Sequence, residues 1–298
     1  MENAVKRIGV LTSGGDAPGM NAAVRAVTRS AIYRGIDCVG IRRGYMGLIN
    51  GDVVKLDASS VNNIINRGGT ILYTARCQEF LTEEGQVKAV NTCKLLGLDG
   101  IVAIGGDGTF RGALDLSKYG VSVVGIPGTI DNDIACSHYS IGFDTACNTA
   151  IEAIDKLRDT MQSHERCSVV EVMGRNAGHL ALYVGIACGA TAVLVPEKPI
   201  DFERDVIEKI RIARLNGRTH YMIVVAEGAG SAPEIGKKIQ EEIAIEPRVT
   251  VLGHVQRGGT PTARDRVTAT RMGYHAVNVL AEGRTNRVIC VRDGRFED

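Results

Sequence analysis

Short apolar runs rich in Val and Ile recur along the chain, and stretches with helical spacing of apolar positions separate most of them. The runs predict strands over Arg7–Thr12, Asp37–Ile41, Gly100–Ile104, Val121–Ile126, Ser168–Val172, Ala192–Val195, Tyr221–Val225, Val249–Leu252 and Val288–Val291. The intervening pattern predicts helices, among them Asn21–Tyr33, Thr145–Gln162, Phe202–Leu215 and Pro261–Ala281. Strands apolar on both faces, alternating with helices, predict an α/β chain whose parallel sheets are covered by helices. No repeat or low-complexity segment interrupts the alternation. A boundary is expected near residues 138–144, after "PGTIDND", and a return crossing near 253–260, in "GHVQRGGTP". The expected domains are therefore 1–140 with 256–298, and 141–255.

Composition narrows the function. With 298 residues, 44% hydrophobic and 23% charged, the chain reads as an ordinary globular protein of one large or two medium domains. A net charge of +1 argues against bulk binding to nucleic acid or to an anionic membrane. Aromatic residues at 4%, with no Trp, leave little for stacking on single-stranded nucleic acid. The uncharged run Leu180–Val195 is shorter than the roughly 20 residues of a spanning helix and is expected to be buried core. The start, "MENAVKRIGVL", lacks the apolar core of a signal peptide. The eight scattered cysteines, none in a CxxC pair, then read as reduced thiols of a cytoplasmic protein.

Three loops concentrate glycine beside acids. "LTSGGDAPGMNAA" puts Gly14, Gly15 and Gly19 between a strand and a helix, where backbone N–H groups and the helix start suit a phosphate. It has neither a Walker lysine nor GxGxxG spacing, so a plain strand–turn–helix reads equally well. "VAIGGDGTFRGA" sets Asp107 among Gly105, Gly106 and Gly108 at a strand's carboxyl edge. A carboxylate facing phosphates needs a cation between them, and Mg²⁺ accepts that donor set; a helix-capping aspartate is the other reading. "GIPGTIDNDI" places Asp131 and Asp133 two apart, so an extended backbone would point both the same way, as suits a general base with a tuning neighbour. An Asx-rich surface turn is the alternative. Arginines at glycine loops in the second half, in "SHERC", "VMGRNAGH" and "EPRVTVLGHVQRGG", suit bidentate recognition of a phosphate ester. Glu227, in "VVAEGAG", could accept sugar hydroxyls or cap a helix, and His254 could be a core histidine.

Taken in order, "GVLTSGGDAPGMNAA", "AIGGDGT", "PGTIDND", "VMGRNAGHLA" and "LGHVQRGG" resemble the bacterial ATP-dependent 6-phosphofructokinases, from about residue 6 onward. The resemblance implies two parallel-sheet sandwich domains of Rossmann-like type, the first binding nucleotide and magnesium, the second binding sugar phosphate. It implies transfer of the γ-phosphoryl group of MgATP to the 1-hydroxyl of fructose 6-phosphate, by a homotetramer with shared active sites. Gly15, Arg76, Cys77 and the run Gly106, Asp107, Gly108 and Thr109 match the nucleotide site, with Asp107 holding Mg²⁺. Asp131 matches the general base, with Thr129 and Ile130 beside the substrate and Asp133 as carboxylate neighbour. Arg175 would stabilise the transferring phosphoryl group. Met173, Gly174, Glu227, His254, Val255, Gln256 and Arg257 would hold the sugar phosphate. Arg166 and Arg248 match residues that reach a neighbouring subunit's substrate.

Two alternatives remain beside this reading. Pyrophosphate-dependent relatives tend to carry aspartate after the motif aspartate and lysine before Thr-Ile-Asp; this chain has Gly108 and Gly128 there. A non-catalytic sugar-phosphate-binding subunit is expected to lose the base or the metal aspartate, and Asp107, Asp131 and Arg175 all stand. Arg25, Arg29, Arg158 and Arg218 match contacts to an ADP or phosphoenolpyruvate effector. Thr191, Asn216 and Thr219 replace a glutamate and basic residues of that pocket, so weak or altered regulation is expected. The chain ends at "VRDGRFED", whereas that family usually continues with a further helical segment; the difference is expected to affect packing or assembly more than chemistry.

Overall fold

A computed structural model describes residues 5–298; the first four, part of the start read above for a leader, lie outside the described residues. The chain divides into two compact units. One holds the chain up to Thr129, Asp133–Gly142 and Arg257–Asp298; the other holds Ile130–Asn132 and Phe143–Gln256. The long crossings thus fall at 142/143 and 256/257, and the short excursion Ile130–Asn132 has no counterpart in the expected division.

In chain order the first unit comprises β1 (Arg7–Thr12), α1 (Met20–Tyr33), β2 (Asp37–Ile41), α2 (Gly44–Asn50), β3 (Val53–Leu56), α3 (Glu83–Leu96), β4 (Gly100–Gly105), α4 (Asp107–Lys118) and β5 (Val123–Pro127). The second comprises α5 (Phe143–Ser163), β6 (Cys167–Val172), α6 (His179–Ala187), β7 (Ala192–Leu194), α7 (Glu208–Leu215), β8 (Tyr221–Ala226), α8 (Ala232–Ile243) and β9 (Arg248–Val251). The first unit resumes with α9 (Ala263–Ala281), β10 (Arg287–Val288), β11 (Cys290–Arg292) and β12 (Arg295–Glu297).

Six strands of the first unit form one sheet in the order β10-β5-β4-β1-β2-β3, parallel except for the β2–β3 pair. Every residue of β4 is buried, as expected of a strand covered on both faces. α1 packs along α9 so closely that a Cβ on Gly273 would stand 2.6 Å from Ala26 Cβ. The helix ends carry their own signals. On α3 the Thr82 hydroxyl accepts Gly85 N–H, Glu83 and Glu84 occupy the first turn, Lys94 the last, and Gly97 closes the helix at φ 62°. The second unit is a four-stranded parallel sheet, β7-β8-β6-β9, whose inner face (Val169, Leu194, Ile223, Val225) packs with Val206, Ile210 and Ile239.

Three sequence expectations change. The run Val288–Val291 is divided: Arg287–Val288 pairs with β5, while Cys290–Arg292 joins β12 in a separate antiparallel hairpin. The expected helix Phe202–Leu215 opens with a π-turn, Glu203–Ile207, before α7. The uncharged run Leu180–Val195 is only half core: α6 buries Leu180, Ala181 and Val184 but exposes Leu182, Tyr183 and Ile186. No helix among the described residues is long and apolar enough to cross a membrane.

Candidate active site

From β1 the chain goes to β2 on one side and later to β4 on the other, so the carboxyl edge shared by β1 and β4 is a topological switch point. Open α/β sheets take their ligands there. Both glycine loops begin at that edge. Ser13 N donates to Ile104 O (3.0 Å) and Thr109 Oγ1 to Ser13 O (3.1 Å), while a Cβ on Gly105 would stand 2.5 Å from Ser13 O. The close approach of the two loops therefore requires glycine at 105. Thr74 Oγ1 donates to Gly14 O (2.7 Å) and lays the segment leading to Arg76 and Cys77 beside the first loop. Nothing local in the sequence marks Thr74 for that task.

Asp107 is the first residue of α4 and not its cap, which is Gly106. Its carboxylate is 52% exposed and pairs with Arg111 at 2.9 Å. Arg111 lies just past "AIGGDGT", and only its i,i+4 spacing from Asp107 marks it in the sequence. Among the described residues no group of three or more His, Cys, Asp or Glu side chains could hold a metal ion. One carboxylate beside open backbone fits a magnesium ion that arrives with phosphates and water, and does not fit a resident metal. A Cβ on Gly108 would meet nothing within 4 Å, whereas one on Gly128 would stand 3.1 Å from Ile104 Cγ2 and 3.4 Å from Met20 Cε. Arg257 Nη1 lies where a Gly15 Cβ would be 2.2 Å away, and donates to Asp16 O (3.3 Å), so this arginine stands at the first glycine loop.

In the second unit the sugar-phosphate candidates collect at one sheet edge. Met173, Gly174 and Arg175 leave β6, Glu227 leaves β8, and the 3-10 turn Gly253–Arg257 carrying His254, Val255 and Gln256 follows β9. Gly174 (φ 140°) and Arg175 (φ 57°) are both left-handed. Glu227 Oε1 accepts from Gly174 N (3.2 Å) and Arg175 N (2.7 Å), and Gln256 Oε1 accepts from Met173 N (2.9 Å). Three successive N–H groups are thus held by two side chains, which fix the backbone that presents Arg175. Glu227 is neither a helix cap nor wholly free for a ligand.

Arg166 and Arg248 lie at the other edge. Arg166 precedes β6, and Arg248 opens β9 opposite Ser168. The length of β6 separates them from Arg175, about 20 Å at roughly 3.3 Å per residue. Arg248 is exposed, 3.6 Å from Glu246.

Asp131 is buried and Asp133 exposed. The expectation that both point the same way fails because Asn132 between them is left-handed (φ 52°), which breaks the extended alternation. Asp131 and Ile130 belong to the second unit, while Thr129 and Asp133 belong to the first. Ser140 Oγ donates to the Thr129 carbonyl (2.7 Å) and Ile141 N to Pro127 O (3.0 Å), bracing the exit from β5.

The sequence profile of one family, Phosphofructokinase, matches residues 7–280. The chain belongs to that family. It is 58% identical over 294 residues to ATP-dependent 6-phosphofructokinase 1 of Clostridium perfringens, covering 99% of this chain and 92% of that protein. Over the same shares it is 56% identical to the ATP-dependent 6-phosphofructokinase of Clostridium acetobutylicum. Among solved structures, phosphofructokinase from Saccharomyces cerevisiae superposes with a TM-score of 0.92 at 36% identity, over 98% of this chain and 44% of that one. A pyrophosphate-dependent phosphofructokinase from Marinobacter aquaeolei shares the fold, with a TM-score of 0.87 at 21% identity over 98% of this chain and 81% of that one.

The positions matched to the family's effector site fall in different surroundings. Arg25 and Arg29 on α1 line a cavity of about 470 Å³ with Arg271, Tyr274 and His275 of α9. Arg158, on α5, is hydrogen-bonded to the Cys188 carbonyl, and Arg218 follows α7 in an exposed loop. Thr191 is committed to backbone: its N–H donates to Met222 O (2.7 Å) and its hydroxyl accepts from Met222 N (3.2 Å).

Proposed function

We propose that this chain is an ATP-dependent 6-phosphofructokinase, which makes fructose 1,6-bisphosphate from fructose 6-phosphate. The observation that carries this reading is the 58% identity, over nearly the whole chain, to a protein of that activity. In the reaction the fructose O1 bonds to the γ-phosphorus, the bond from that phosphorus to the β–γ bridging oxygen breaks, and ADP leaves. Asp131 takes the hydroxyl proton on its carboxylate. Arg175, braced through Glu227, stabilises the charge spread over the moving phosphoryl oxygens. The loops at Gly15 and Gly106–Thr109, with Arg76 and Cys77, hold the nucleotide. Asp107, now paired with Arg111, would be the residue to hold magnesium, which would supply neutralisation of phosphate charge. Met173, Gly174, Glu227, His254, Val255 and Arg257 hold the sugar phosphate, with Thr129 and Ile130 beside it, while Gln256, expected among them, is fully buried and supports the Met173 backbone from behind.

ATP is favoured over pyrophosphate by the two glycines. Open space at Gly108 leaves room for an α-phosphate, and the crowding at Gly128 leaves little for a lysine.

The working unit is a homotetramer in the cytoplasm. Support comes from the opposite-edge positions of Arg166 and Arg248 and from the apolar stripe Leu182, Tyr183 and Ile186 on α6, the kind of patch that marks an interface. Control by ADP or phosphoenolpyruvate is weak, because Thr191 is tied to β8 and offers no carboxylate to an effector's metal.

One assay tests these points: fructose 1,6-bisphosphate formation with Mg²⁺ and either ATP or pyrophosphate, for wild type and Asp131→Ser. Turnover is expected with ATP alone, falling by ~100-fold or more in the variant. Saturation curves for the sugar are expected to stay unshifted by either effector. Turnover with pyrophosphate, or a variant as active as wild type, would overturn the reading.

A further inference from the structure

All eight cysteines are free, and two of them lie side by side. Cys136 is half-buried on the segment Asp133–Gly142, and Cys290, the first residue of β11, is buried. Three hydrogen bonds lash the two segments together. Val291 N donates to Ser137 Oγ (2.9 Å), His138 N to Val291 O (2.8 Å), and Arg292 Nε to the Cys136 carbonyl (2.9 Å). Cys290 Sγ donates to Val288 O at 3.2 Å. Burial pushes the Cys290 thiol up, and the adjacent Cys136 adds to the effect, while the Arg292 guanidinium opposes it. Cys136 is therefore the accessible sulfur, and Cys290 the sheltered one that keeps its proton.

We propose that Cys136 and Cys290 are an oxidisable dithiol, a modification site that a peroxide closes to an intramolecular disulfide. The Cys136 thiolate attacks one peroxide oxygen, the O–O bond breaks, and hydroxide leaves, giving a sulfenic acid. The Cys290 sulfur then attacks the Cys136 sulfur; the S–O bond breaks, and the departing hydroxide takes the Cys290 proton as water. Two thiols and one hydrogen peroxide become one disulfide and two waters. Those three hydrogen bonds hold the two segments together and keep the thiols close enough to meet. The bond would fasten the β11–β12 hairpin to the segment whose Ser140 supports the Thr129 carbonyl, one residue before the loop carrying Asp131.

The test is a peptide map of the full chain under non-reducing conditions, after hydrogen peroxide and alkylation of the remaining thiols. The expected product is a peptide pair joined through Cys136 and Cys290, two hydrogens lighter than the separate peptides and released by dithiothreitol. Cys290→Ser is expected to stop at the sulfenic acid, captured at Cys136 by a cyclic 1,3-diketone. Cys136→Ser is expected to leave Cys290 open to alkylation on denaturation. The proposal is overturned if both wild-type thiols remain alkylatable while Cys77 is oxidised, or if Cys136 runs on to sulfinic acid without joining Cys290. The wild-type map decides by itself should either serine variant fold poorly.

Discussion

The side-chain amide of Gln256 lies wholly out of solvent, with Oε1 taking the Met173 N–H and Nε2 making no hydrogen bond. A buried donor left unmade costs about 1–3 kcal/mol, and so does a buried backbone N–H stripped of its acceptor. Gln256→Met removes both amide partners at similar volume: it relieves the orphan Nε2 and orphans Met173 N–H. The two terms oppose, so global stability to denaturant is expected to change by less than about 1 kcal/mol. The loop that presents Arg175 loses one of its two clamps, so kcat for the phosphoryl transfer is expected to fall about ten-fold, equivalent to ~1.4 kcal/mol of transition-state stabilisation, with KM for ATP unchanged. An unaltered kcat would remove Gln256 from the positioning machinery. At this scale the sequence was informative where the signal is local. A strand running into glycine and one acid marks Asp107, and "GTIDND" marks Asp131. It was silent where partners are distant in the chain: Gln256 meets Met173 across 83 residues. The left-handed turn at Asn132, which separates Asp131 from Asp133, did have a local signature, since asparagine adopts that conformation more readily than other non-glycine residues and the stretch also read as an Asx-rich turn.

Secondary-structure elements were legible where burial is two-sided and the run is long. β1 and β2 have the predicted bounds, because a strand apolar on both faces has sharp polar ends. The end of the chain was not legible, because one apolar run, Val288–Val291, feeds two different sheets. The β11–β12 hairpin is anchored by a side chain: Phe296 stacks on His275, with centroids 5.8 Å apart and planes 4° from parallel, and lies 3.9 Å from the Arg271 guanidinium. Phe296→Ala is expected to lower stability by about 1–2 kcal/mol, read as a lower thermal midpoint. Burial, and then the Arg271 charge, hold His275 below its ordinary value of 6.5, with Asp298 partly opposing them. The unfolded chain therefore binds that proton more readily than the folded one, and stability falls as pH drops below about 6.5 and through the lower folded value. Thermal midpoints taken from about pH 7 to pH 5 are expected to fall more steeply for wild type than for His275→Phe. Equal slopes would detach His275 from the acid response.

Arg166 and Arg248 cannot share a ligand with Arg175 of their own chain, because β6 lies lengthwise between them within one rigid sheet. On the proposed function, they act on fructose 6-phosphate bound by another copy. The exposed Leu182, Tyr183 and Ile186 on α6 add an apolar face for such contact, in a run whose lack of charge read as wholly buried core. Sequence alone could not distinguish an interior from an interface, since both are dry when the assembly is complete. Crossed variants test the arrangement. On the proposed function Asp131→Ser abolishes the base and Arg166→Ala removes a contact supplied in trans, so each homo-oligomer is expected to be nearly inactive. After unfolding and refolding a 1:1 mixture, half of two-fold-related pairs contain one chain of each kind. In such a pair one site has both substitutions, while the other combines an intact Asp131 from one chain with an intact Arg166 from its partner. Recovery of about one quarter of wild-type activity is therefore expected. A mixture no more active than its components would mean that each site is built within one chain, and would remove Arg166 from the reaction.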